Sequence, residues 1–147
     1  MAANAGRKTA YPVAKTKPFP RSIAPAEPTV LASLASMCSV AAAAFANQFF
    51  KTGTGQYGEG DQFLGIKVPL LRAFVRDLNG AGIEVVLPLL RSSWHEARAA
   101  GLMLLVRIFQ RGDEKTRKRI FRVYLKSTKF IDNWDLVDIS AEHIVGG

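Results

Sequence analysis

The chain has a single cysteine, Cys38, among 147 residues. An intrachain disulfide is therefore excluded, and Cys38 with His95 and His143 offers no metal-binding constellation. A reducing compartment fits this usage. Acids are missing from the first 26 residues, which carry Arg7, Lys8, Lys15, Lys17 and Arg21. Charge of either sign is missing from Val30 to Phe50, "VLASLASMCSVAAAAFANQFF". Alternation of β-branched residues is scarce throughout, which leaves little from which to build a sheet.

The uncharged stretch is long enough for three readings: a buried helix of a soluble domain, a leader cleaved near Ala44-Phe45-Ala46, or a membrane span. Its Ala- and Ser-rich composition, Asn47 and Gln48 near its end, and the 28 or so residues before it favour the buried helix. Pro12, Pro18, Pro20, Pro25 and Pro28 make residues 1–28 read as a disordered basic arm. An organelle-targeting leader is the alternative for the arm, although its prolines interrupt an amphipathic helix. An intracellular setting is favoured. Residues 29–147 are then the folded domain.

What is present is basic charge, in two blocks. The formal net charge is +8, from 20 basic and 12 acidic side chains. The second block spans residues 111–130, where eight basic residues face Asp113 and Glu114. Two such blocks suit a polyanion, nucleic acid ahead of a membrane surface, or are simply solvated faces.

"KTGTGQYGEGDQFLG" (Lys51–Gly65) contains a literal GxGxxG at Gly53–Gly58. No strand precedes it, no βαβ unit surrounds it and no Lys-Ser/Thr follows, so a nucleotide site is rejected in favour of a tight loop with positive-φ glycines. Beyond the loop the punctuation is helical. Pro69 suits the first turn of a helix with Leu70, Leu71, Phe74, Val75 and Leu78, ended near Asn79-Gly80. Ile83–Arg91 reads as a short helix with Pro88 inside it. Ser93 and Glu96 read as a capping box for a helix stopping at Gly112. Asp113 caps the next, with Ile120, Val123, Tyr124 and Phe121 as inward residues, and Asn133 caps the last. Helices of this length, paired by short loops, predict an all-α fold: an α-solenoid of HEAT-like antiparallel helix pairs.

Lys115, Arg119, Arg122 and Lys126, spaced 4, 3 and 4, form one positive stripe on their helix. Arg72 and Arg76 form a shorter one, and in a solenoid such stripes can merge into a groove that follows phosphates. Trp134 and Asp138 share a helix face, about 6 Å apart at Cβ. An indole beside a carboxylate suits a cation. The alternative is a core tryptophan beside surface acids that favour a helix start.

"FFKTGTGQYGEGDQFLGIKVPLLR" (Phe49–Arg72), "HEARAAGLMLLVRIF" (His95–Phe109) and "YLKSTKFIDNWDLVDISAEHIVG" (Tyr124–Gly146) resemble, in unbroken order, the DNA alkylation repair family of HEAT-like DNA glycosylases. The resemblance covers about residues 43–147, with "YGEGDQFLG" and "NWDLVDISA" as its specific motifs. It implies a monomeric enzyme that binds duplex DNA in a basic cleft and hydrolyses the N-glycosidic bond of cationic N3- or N7-alkylated purines. No metal or other cofactor is implied. The family's pocket motif W-x-x-x-D falls on Trp134 and Asp138. "FLGIKVP" matches a stretch near DNA and makes Lys67 a phosphate contact. The family's further helices supply a second pocket aromatic and an arginine, and this chain ends at Gly147. The expectation is a C-terminally truncated domain with a bare apolar face, active only in a longer form. A catalytically silent HEAT-like module that binds nucleic acid or protein is the second reading.

Overall fold

The computed structural model describes residues 27–56 and 58–146. Residues 1–26, which make up all but the end of the basic arm, Tyr57 of the glycine loop and Gly147 lie outside them; Glu27 and Pro28, assigned to the arm, open the first helix. Eight α-helices follow in order among the described residues: α1 (Glu27–Ala35), α2 (Val40–Phe49), α3 (Val68–Asp77), α4 (Ile83–Leu90), α5 (His95–Arg111), α6 (Glu114–Lys126), α7 (Trp134–Asp138) and α8 (Ala141–Ile144). A 3-10 turn, Thr128–Phe130, lies between α6 and α7. An isolated bridge between Gln62 and Trp94 is the sole β pairing among these residues. The fold is all-α, as the lack of β alternation predicts.

Helix α5 is the centre. It packs on α3, α4 and α6 and touches α7 and α8, an arrangement compatible with stacked helix pairs. Its run from His95 to Leu102 is buried without interruption. Gly101 permits the close approach of α4: a Cβ there would lie 3.0 Å from the Leu89 Cβ. The amphipathic α3 buries Leu71, Phe74 and Val75, with Pro69 in its first turn as expected. Pro88 lies inside α4, where it has no amide to donate to the Glu84 carbonyl, and the helix ends two residues later. Asp113 caps α6 by accepting from the Thr116 amide at 2.8 Å. Ile120 and Tyr124 are buried on α6, and the Tyr124 hydroxyl meets Ser140 Oγ at 3.0 Å, fastening α6 to the segment before α8. Phe121, given an inward place by the sequence, is exposed, as are Leu125, Val137 and Val145.

Three expectations are corrected. Residues 30–50 are not one buried helix. Ser36–Ser39 break the stretch, and Ser39 caps α2 by accepting from the Ala42 amide. Helix α2 contains no buried residue; Val40 is 80 % and Phe45 69 % exposed. No described helix is long and apolar enough to cross a membrane. The capping box is absent as well: Trp94, not Ser93, occupies the cap position of α5, without a side-chain cap bond. Glu96 instead accepts from the backbone amides of Leu64, Gly65 and Ile66 at 2.9, 2.8 and 3.3 Å. Asn133 occupies the cap position of α7, but its side chain makes no cap bond and turns to Asp61.

Candidate functional site

The loop "DQFLGI" (Asp61–Ile66) positions the site from below. Glu96 fixes its three amides, and Leu64 accepts from the Ser39 amide at 2.8 Å, tying in the start of α2. Gly65, at φ +78°, is required here, because a Cβ would run into the Ser39 carbonyl oxygen. The glycine reading of this loop thus holds at Gly55, Gly60 and Gly65, all with positive φ.

Asp61, at the head of that loop, is the hub of a buried ionic cluster. Its Oδ2 meets His95 Nδ1 at 2.7 Å, and its Oδ1 accepts from Arg98. The Asn133 amide donates to it at 3.4 Å. The other imidazole nitrogen, Nε2, lies 2.6 Å from Asp135 Oδ2. Arg98 reaches Asp132 at 2.7 Å through its second nitrogen. Burial alone pushes the His95 imidazolium down, but hydrogen bonds to Asp135 and Asp61, with their charges, outweigh it and raise the pKa from 6.5 to about 9. Burial likewise pushes the Asp61 carboxyl up. His95, through hydrogen bond and charge, with the Arg98 charge and the Asn133 bond, holds it below 3.8. At neutral pH Asp61 is therefore ionised and His95 charged.

On this base sits α7, one and a half turns long. Trp134 is 48 % exposed and leans on α2, with ring centroids 6.2 Å from Phe49 and 5.7 Å from Phe50. Phe50 in turn contacts Phe63 and His95, at 5.1 Å each. The core reading of Trp134 does not hold, since half of the indole meets solvent.

Asp138 is exposed and lines a depression of about 410 Å³. Arg72 and Arg76 of α3, Arg107 of α5 and His143 of α8 surround it, over an apolar floor that includes Val75, Met103 and Val106. The side chains of Arg72, Arg76 and Arg107 make no hydrogen bond or ion pair with any described residue. Of the expected DNA contacts, Arg72 and Arg76 are thus brought to Asp138. Lys115, Arg119 and Arg122 are exposed on α6 and line a second depression with Asp113, Glu114 and Lys118. The two depressions share no lining residue. Lys126 is exposed at the end of α6, and Lys67 is exposed at the cap position of α3.

Sequence reasoning missed Arg107, His143 and the Asp61–His95–Asp135 cluster. Arg107 was detectable as a lone cation in the apolar run "LMLLVRIF". His95 and Arg98, one turn apart on a buried face, were the signal for the cluster, but their partners lie 34 to 40 residues away. Curated proteins and solved structures give no match. The family model described as DNA alkylation repair enzyme matches residues 30–147, and the chain belongs to that family.

Proposed function

We propose that this domain excises cationic alkylated purines from duplex DNA by hydrolysing the N-glycosidic bond. The observation that carries the reading is an exposed carboxylate, Asp138, that shares a depression with three arginines whose side chains lack partners among the described residues, on the same short helix as a half-exposed indole. Unpaired guanidinium groups suit the phosphates that flank a nucleotide. The carboxylate between them suits a positive charge on the sugar.

The chemistry follows from the substrate. An N7- or N3-alkylated purine is already cationic, so the C1′–N9 bond breaks with its electron pair passing to the base, which leaves neutral. Positive charge moves to C1′ and O4′. Ionised Asp138 stabilises that oxocarbenium charge and accepts the proton of the water that adds to C1′. The exposed face of Trp134 packs on the sugar or the cationic base. Arg72, Arg76 and Arg107 hold the phosphates, and Lys67, Lys115, Arg119, Arg122 and Lys126 extend the contact. No cofactor takes part in this scheme.

The test measures N7-methylguanine released from methylated duplex DNA. It compares this domain with its Asp138→Asn variant. Release is expected to fall by roughly 10²–10³-fold with Asp138→Asn, the scale of losing one transition-state electrostatic partner. Equal release by Asp138→Asn discards the catalytic role. The second reading, a non-catalytic nucleic-acid-binding module, is favoured by the α6 depression, which offers cations away from Asp138. Tight DNA binding without release would establish it.

A further inference from the structure

Asp135 sits between Trp134 and Asp138 in sequence, yet it points inward. Its Oδ2 is 2.6 Å from His95 Nε2, and its Oδ1 is buried without a partner among the described residues. Helix α7 has no side-chain cap. A five-residue helix without a cap has almost no stability of its own. Its orientation must come from outside: Leu136 is fully buried in the core, Trp134 leans on Phe49 and Phe50, and the polar ties are few. Asp135 goes to His95, Asn133 to Asp61, and Asp132 to Arg98.

His95 is the member whose chemistry is restrictive. Ionised carboxylates only accept hydrogen bonds. Two of them, one at each ring nitrogen, need two N–H donors, and a neutral imidazole has one. The residue is 3 % exposed, and Phe63 stacks on its ring at 4.6 Å. Around it, the loop before α3 presents Asp61, α7 presents Asp135, and α5 presents Arg98. Asp132, before α7, takes up the far side of Arg98. Glu96, its chain neighbour, is directed away to the Leu64–Ile66 amides.

We propose that His95 is the positioning residue of the site: as a doubly hydrogen-bonded imidazolium it clamps α7 through Asp135 and so aims Trp134 and Asp138 at the substrate. This rests on the reading of Trp134 and Asp138 as the working pair. His95 touches neither substrate nor reacting atoms. When it loses its proton, one of its two carboxylate contacts turns repulsive, and α7 loosens while the α3–α6 body stays intact. The raised pKa of about 9 puts this loosening above neutral pH.

The experiment places Trp134 alone as fluorophore, using Trp94→Phe, and titrates its emission from neutral to alkaline pH. A transition near pH 9 with unchanged far-ultraviolet circular dichroism is expected. It should vanish in His95→Gln and move to lower pH in Asp135→Asn, which removes one of the two charges that hold the proton. An unchanged transition in His95→Gln, or none in the Trp94→Phe protein, overturns the proposal. Should His95→Gln fail to fold, long-range ¹H–¹⁵N spectra of the unaltered protein decide instead. Both His95 ring nitrogens protonated at neutral pH support the clamp; one protonated nitrogen overturns it. None of these readouts uses DNA. A positive titration without purine release therefore removes the glycosylase reading alone. Asp138-dependent release without the titration removes the clamp alone.

Discussion

Two clusters of charge meet at α7. In one, Asp61, His95, Arg98, Asp132 and Asp135 pair nearly every charge with another. In the other, Asp138 shares a depression with Arg72, Arg76, Arg107 and His143, and the arginine side chains pair with nothing among the described residues. The difference separates two uses of the same residue types. Charges removed from water must be matched internally, because an uncompensated buried ion is costly. Charges left at the rim keep their hydration and their valence for a ligand. A cluster of paired charges therefore holds the helix, and one with unpaired cations is free to recognise.

The largest test of this contrast is Asp61→Ala. It removes one of the two carboxylate partners from each of two buried cations, and the expected loss is about 3–5 kcal/mol in chemical denaturation. A loss below about 1 kcal/mol, the range of exposed ion pairs, would place the cluster with surface salt bridges after all. Next is pH. His95 is raised in the folded state, so its contribution is whole below 6.5 and disappears as pH climbs through about 9; the total is on the order of 3 kcal/mol. Asp61 is depressed, so its contribution is whole above 3.8 and disappears as pH falls through its lowered value. The two together predict greatest stability between these limits, read as denaturation midpoints across pH.

The rim should behave in the opposite way. Arg72→Glu with Arg76→Glu should leave stability within about 0.5 kcal/mol. DNA affinity should weaken, and the salt dependence of binding should flatten by about one unit for each phosphate-binding cation removed. Reduced stability without any change in salt slope would erase the contrast. The smallest effect is expected from Lys115→Glu with Arg119→Glu on α6. Its depression is separate from that of Asp138, so affinity should fall without any change in the ratio of damaged to undamaged DNA bound.

The sequence made the α3 to α6 body legible because its signals are local. Pro69, Gly112 and Asp113 act within one turn of where they stand, and the apolar spacing of Leu71, Phe74 and Val75 needs no partner to be read. Reading failed where the deciding partner was distant. Glu96 has the spacing of a capping residue, but three amides 30 to 32 positions earlier claim its carboxylate. In residues 30–50 the uniform lack of charge hid a break at serines, which hydropathy barely distinguishes from alanine. The W-x-x-x-D spacing located Trp134 and Asp138 on one helix. It could not reveal that one leans on the phenylalanines of α2 while the other opens onto α3 and α5.

The bond from Asn133 to Asp61 joins points 72 residues apart. Pairings so remote along a chain close late in folding, because the intervening loop must first be organised. The α3 to α6 body can assemble from neighbours, whereas α7 must wait for the glycine-rich segment to arrive. In a refolding experiment the Trp134 signal should therefore appear in the slowest phase, after helical ellipticity has been regained, making this the last part of the molecule to mature.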